Sequence, residues 1–153
     1  MTIIDRLLGH DAWTTRQLLL RCRELPDEQM DRAFEIGSGS LRATFAHLIA
    51  CMEGHTDIMR GRTTGETSQE DVSVTGMLTR LTTAAKNFAE VAARVEREGS
   101  ADDLVTVPGS GRRRSLGGQV AHLLTHSMHH RAQILYMMEK LGLQDVIEGD
   151  ALG

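Results

Sequence analysis

Apolar positions recur at helical spacing over four long stretches of the chain, and polar stretches separate them. The four stretches span residues 2–25, 41 to about 60, about 75–98 and about 116–141. Pro26 ends the first because the residue before a proline disfavours helix. Ser40 is a predicted N-cap of the second, and Gly142 a predicted stop after the fourth. The pattern predicts an all-α four-helix bundle, organised as a single domain over residues 1–153.

The connections between these helices carry their own signals. Residues 27–33 are predicted to form a short extra turn, and residues 61–72 are polar enough to form a loop. Before the fourth helix, residues 104–107 and the Pro-Gly-Ser-Gly turn at 108–111 suit a short hairpin. The acidic tail, residues 143–153, is expected to lie over the bundle or to fray.

Composition and charge narrow the class of protein. Hydrophobic residues make up 41% of the 153 residues but aromatic ones only 3%, which favours helices packed by aliphatic side chains. The net charge of -4 argues against a nucleic-acid partner. Neither a signal peptide nor a long apolar run is present, so we expect no membrane association. Cys22 and Cys51 are too few for a disulfide framework, which predicts free thiols and a cytoplasmic location.

The strongest candidate chemistry is a group of histidines. The fourth helix carries four of the chain's seven: His122, His126, His129 and His130. His126 and His130 are one helical turn apart, so both can bind one metal ion. His122 lies about 12 Å along the axis from His130, so a third ligand must come from another helix, where His47 and His55 are available. Three histidines would leave coordination positions for water or substrate. The alternative is a surface cluster of solvated or hydrogen-bonded imidazoles.

Three further features have both a structural and a functional interpretation. Asp11 lies within the apolar stripe of the first helix, where it is either a cap or salt-bridge partner or a site residue. Trp13 and Leu20 share the opposite face, which suits an exposed pair or a subunit contact. The run Arg112 to Arg114 is either a solvated edge or a binding surface for an anionic ligand.

Three segments resemble the DinB/YfiT-like superfamily: HDAWTTRQLL at 10–19, SLRATFAHLIACMEGH at 40–55 and HLLTHSMHHRAQI at 122–134. The resemblance implies an up-down-down-up bundle with a long crossover connection, and often a homodimer. It also implies a divalent metal ion, nickel or zinc, bound by His47, His126 and His130. Asp11 and Gln119 are candidates for the acidic or amide partner that such sites often carry.

The resemblance further implies a metal-dependent enzyme. Related proteins include bacillithiol and mycothiol S-transferases, a mycothiol-dependent maleylpyruvate isomerase and metal-dependent hydrolases. A metal-activated thiol or water would attack a small-molecule electrophile, and Arg112 to Arg114 would meet carboxylates of the thiol. The alternative functions are a non-catalytic dimeric bundle and a metal- or stress-responsive binding protein.

Overall fold

The structure, a computed structural model, describes residues 1–62 and 71–147. Its α-helices are α1 (Ile3–Arg21), α2 (Asp27–Met30), α3 (Leu41–Met59), α4 (Val74–Glu98) and α5 (Leu116–Lys140). A 3-10 turn, Cys22–Glu24, follows α1, and an antiparallel hairpin of β1 (Leu104–Thr106) and β2 (Arg113–Ser115) joins α4 to α5. The predicted all-α four-helix bundle is therefore confirmed, with α2 as the predicted extra turn.

Local side-chain chemistry sets the helix boundaries. The hydroxyl of Ser40 accepts a hydrogen bond from the Ala43 amide at the start of α3. Ser115 caps α5 in the same way through the Gly118 amide. At the other end of α4, Gly99 adopts a left-handed conformation with φ 63°, which glycine reaches without steric cost. These caps satisfy backbone groups that the helices leave without partners.

The packing order explains the crossover connection. Helices α1 and α3 each pack against both α4 and α5. The long helices α1 and α3 are consecutive in sequence yet lie diagonally across the bundle, and residues 22–40 cross it to join them. The predicted long crossover is thus present.

Contacts between the helices give their directions. Asp11–Arg131 joins α1 to α5, and Arg21 of α1 contacts Gln144, just after α5. Glu53–Arg80 joins α3 to α4, and Arg60, just after α3, contacts Asn87 of α4. His47–His130 and His55–His122 join α3 to α5. Residue numbers rise together in the first two pairs of helices and oppose each other in the third. The bundle is therefore up-down-down-up, and α3 is antiparallel to α5.

Two apolar residues near the start of the first helix are exposed. Ile3 and Leu7 have 79% and 44% of their surface accessible, and Leu8 is the first buried residue of α1. Leu7 lines an apolar groove of about 680 Å³ between α1, α4 and α5, together with Leu124 and Met128. The apolar stripe is wider than the surface that α1 buries, because part of it faces this groove.

The chain ends and loops agree in part with prediction. Helix α1 ends at Arg21 rather than at residue 25, because a tighter 3-10 turn leads into the extended residue before Pro26. Of the predicted loop, residues 63–70 lie outside the described part, as do residues 148–153 of the tail. Val146 and Ile147 pack against the core, so this part of the tail lies over the bundle.

The carboxylate of Asp11 forms a buried ion pair with Arg131. Both side chains are at least 95% buried, and Arg131 also donates to the Thr15 hydroxyl at 3.3 Å. The salt-bridge interpretation of Asp11 is therefore confirmed. Because each charge is costly to bury alone, the pair ties α1 to α5 only while both partners are present.

Replacing Asp11 with alanine should destabilise the protein by about 3–5 kcal/mol, because Arg131 would stay buried without its counter-charge. Urea unfolding followed by circular dichroism measures this free energy. Asp27→Ala is the matched control, since Asp27 pairs with Arg42 on the surface and its loss should cost less than about 1 kcal/mol. Equal effects of the two substitutions would contradict a structural role for the buried pair.

Candidate metal centre

The groove between α3 and α5 contains a row of imidazoles. His47 and His55 come from α3, and His122, His126 and His130 come from α5. The α3 pair is eight residues apart and the α5 residues are four apart, so all project near the same helix–helix boundary. Antiparallel packing then places His47 beside His126 and His130, and His55 beside His122.

The three predicted ligands, His47, His126 and His130, lie together. Their ring centroids are 4.3 Å apart for His126–His130, 4.8 Å for His47–His130 and 5.2 Å for His47–His126. Two imidazoles that share one ion at ~2.1 Å have centroids about 4.6–5.3 Å apart for angles of ~90–110°. The observed separations are in or just below this range, so the ring spacing is compatible with a single ion. Among the described residues, the group whose donor atoms all lie within 4.8 Å of one another contains His47 and His126 but not His130.

The hydrogen bonding of His130 prepares one of its nitrogens for a metal. Its Nδ1 lies 2.7 Å from Oε1 of Gln133, an acceptor, so the imidazole proton is on Nδ1. The Nε2 atom then carries the lone pair and accepts a hydrogen bond from Nε2 of His126 at 3.1 Å. Two nitrogens bound to one ion at ~2.1 Å are about 3.0–3.4 Å apart. The separation of the two Nε2 atoms therefore matches that of a shared ion.

Gln133 is held in this orientation from two sides. Its Nε2 lies 3.0 Å from Nε2 of His129, which accepts the hydrogen bond. On the other side, Gly37 adopts φ +62°, and a Cβ at this position would lie 3.0 Å from Oε1 of Gln133 and 2.9 Å from the Thr44 hydroxyl. The connection before α3 thus approaches the amide at a point where only glycine fits, and the amide acts as an outer-shell partner of His130.

The environment favours the neutral form of His126 and His130. Burial and the neighbouring His130, His47, His122 and His55 lower the pKa of His126 to about 4. Burial also lowers the pKa of His130, although the hydrogen bond to Gln133 acts in the opposite direction. Neutral imidazole is the form that binds metals. Since His130 is buried, His126 half-buried and His47 exposed, the centre is open to solvent on the α3 side.

Cys51 also lies in this cluster, although it was not among the ligands predicted from the sequence. Its Sγ lies 3.6 Å from Nε2 of His47, and donor atoms of His47, Cys51 and His126 lie within 4.8 Å of one another. Burial raises the pKa of the Cys51 thiol, so the thiol is protonated at neutral pH in the absence of a cation. The sequence feature that could have indicated Cys51 as a ligand is its spacing of four residues from His47 on one helix.

The other candidate residues are placed apart from the three imidazoles. Asp11 pairs with Arg131, and Gln119 accepts a hydrogen bond from Nδ1 of His55 at 2.5 Å. Neither contacts the predicted ligands; the amide partner is Gln133, whose signal was its position three residues after His130. Arg112 to Arg114 are exposed, as a solvated edge would be.

Comparison with known proteins agrees with this architecture. The model of the DinB family matches residues 1–148. The chain belongs to the DinB family. Its fold is similar to that of a DinB-like protein from Bacillus cereus ATCC 10987, with a TM-score of 0.69 and 19% sequence identity over 91% of this chain and 90% of the other. No protein of curated function matches the chain. In residues 1–62 and 71–147 of this DinB-family chain, no helix has the length and apolar character needed to span a bilayer.

In the metal-free protein, His130 should carry its proton on Nδ1. Long-range proton–nitrogen NMR correlations distinguish the two imidazole tautomers directly. Gln133→Leu should remove this preference, because Oε1 is the acceptor that favours the Nδ1 proton. Gln144→Leu is the control, since the Gln144 side chain bonds only to the Gly142 carbonyl among the contacts seen in residues 1–62 and 71–147. A proton on Nε2 of His130 in the wild type would contradict this account.

Proposed function

We propose that this DinB-family chain is a metal-dependent enzyme. His47, His126 and His130 would hold a divalent nickel or zinc ion, and the reaction would be either transfer of a low-molecular-weight thiol to a small electrophile or hydrolysis. The observation that supports this most directly is the pair of Nε2 atoms of His126 and His130, 3.1 Å apart, with the His47 ring facing them from α3.

The donor set suits a catalytic site better than a structural one. Imidazole nitrogens bind zinc, nickel, iron and copper alike, so the ligands define a class of metal and not one element. Structural zinc sites usually close their shell with four protein ligands, often cysteines, whereas catalytic sites keep a position open. Three histidines with solvent access at His47 correspond to the second type.

The chain's own residues would bind and orient in this reaction. When bound, a divalent ion supplies Lewis acidity that makes a water or thiol more acidic near neutral pH. Gln133 would keep the His130 proton on Nδ1, so that Nε2 stays available. Cys51, next to His47, would lie at the edge of the ligand set; the two free cysteines suit a reducing compartment such as the cytoplasm.

A substrate with an anionic group could contact a basic side chain, Arg114, near the row of histidines between α3 and α5. Arg114 is near enough to His122 for its charge to contribute to the lowered pKa of that imidazole, after burial and His55. The carboxylates of a small thiol could therefore meet Arg114 while the thiol sulfur reaches the three histidines. Homodimer formation also stays a prediction, for which the 51% exposure of the Trp13 side chain offers a contact surface.

The ligand assignment predicts which substitutions remove the metal. Wild-type protein should retain its most tightly bound equivalent of nickel or zinc after gel filtration in metal-free buffer. His47→Ala, His126→Ala and His130→Ala should each weaken binding by more than the ~10–100-fold typical of losing an outer-shell partner. Inductively coupled plasma mass spectrometry and competition with a chelator measure both quantities.

The Cys51→Ser variant distinguishes two possible ligand sets. One is His47, His126 and His130, and the other is His47, Cys51 and His126. With three histidine ligands, Cys51→Ser should retain the tight equivalent and His130→Ala should lose it. The reverse result would assign the ion to His47, Cys51 and His126 instead. Retention of the tight equivalent by all three histidine variants would remove the proposed centre.

The enzyme proposal predicts turnover that depends on added metal. A panel of low-molecular-weight thiols with a fluorogenic electrophile tests transfer, and ester and amide substrates test hydrolysis. Metal stabilisation worth several kcal/mol, at ~1.36 kcal/mol per factor of ten, predicts a loss on the order of 100-fold or more in His130→Ala. If wild-type protein with its metal shows neither activity above the metal-free form, a non-catalytic metal-binding bundle is the better description.

A further inference from the structure

We infer that His55 and His122 form a second binding site for a divalent transition-metal ion, farther along the same groove between α3 and α5. This site uses neither His47, His126 nor His130 as a ligand. It therefore stands on its own geometry and does not rest on the proposed function.

The two rings have the separation that a shared ion requires. Their centroids are 5.0 Å apart, within the same range as the pairs of the first cluster. One ring comes from α3 and the other from α5, so an ion between them would bridge the two helices. His122 is one turn, about 6 Å along the axis, from His126, and their ring centroids are 5.4 Å apart, just beyond the range for two rings that share an ion.

Gln119 orients His55 as Gln133 orients His130. Its Oε1 accepts the Nδ1 proton of His55 at 2.5 Å, which leaves Nε2 of His55 as the free donor of a lone pair. Gln119 is 1% exposed, so its orientation is restricted by packing. A metal-binding histidine usually donates its other ring N–H to such an outer-shell acceptor.

The side chain of Gln119 also has an amide N–H group that makes no hydrogen bond in the described part of the chain. The nitrogen of this group, Nε2, is buried. A buried amide donor without a partner is unfavourable, and a water in the shell of an ion at His55 and His122 would satisfy it. With two protein nitrogens, the ion would keep several such waters and bind less tightly than at a site with three.

Metal stoichiometry of the 153-residue protein tests the second site. We expect equilibrium dialysis against excess zinc chloride, followed by mass spectrometry, to find two equivalents in the wild type. His122→Ala should lose the weaker equivalent and keep the tighter one, while His130→Ala should lose the tighter and keep the weaker. His122 is exposed, so its substitution should leave the fold intact, as circular dichroism can verify. His10→Ala, a histidine on α1 outside the row, should keep both.

The outcomes separate the two sites. A single equivalent that His130→Ala loses and His122→Ala keeps would overturn the second site and leave the first. A single equivalent with the opposite dependence would support the His55–His122 site and contradict the first. A second equivalent that persists in His122→Ala and in His55→Ala would be bound elsewhere, and the inference would be wrong.

Discussion

The antiparallel packing of α3 against α5 is the constraint on which the candidate metal centre depends. Neither helix can supply three convergent ligands, since residues eight apart on a helix are separated by about 12 Å along its axis. Reversal of one helix relative to the other places His47 opposite His126 and His130, and His55 opposite His122. The long crossover after α1 makes this pairing available, because it puts α3 next to α5 instead of next to α1.

Two glutamine amides, one buried and one half-buried, each favour one tautomer of a neighbouring histidine. An imidazole that rotates freely can present either nitrogen, and each tautomer offers only one lone pair. Gln133 and Gln119 each accept the Nδ1 proton of one histidine, so that His130 and His55 carry their lone pairs on Nε2. The close approach of Gly37 to Gln133 extends this support to a loop that contains no ligand.

Other polar groups of the bundle serve its stability. The Asp11–Arg131 ion pair joins α1 to α5 on a different side of α5 from His130, and it lines the apolar groove between α1, α4 and α5. Adjacent residues of one helix, His130 and Arg131, therefore belong to two different regions. The helical rotation of about 100° per residue separates them.

Local information in the sequence was sufficient for the helices and part of the centre. Apolar spacing and the hydroxyls of Ser40 and Ser115 act within a few residues, so they predicted α3 and α5 with ends correct to about one residue. The exposure of Leu7 was not predictable, because an apolar residue that lines an open groove follows the same periodicity as one in the core. Cys51 and Gln133 had suitable spacings, but each owes its role to what lies opposite it in the tertiary structure.

By itself, the sequence determined the number and approximate extent of the long helices and the presence of two histidines one turn apart on the last of them. Those features follow from contacts between near neighbours along the chain. Tertiary structure alone decided which residues of α3 face the α5 histidines, which nitrogen each imidazole exposes, and that a thiol joins the cluster. These depend on the direction and rotation of one helix against another, and no local pattern encodes either.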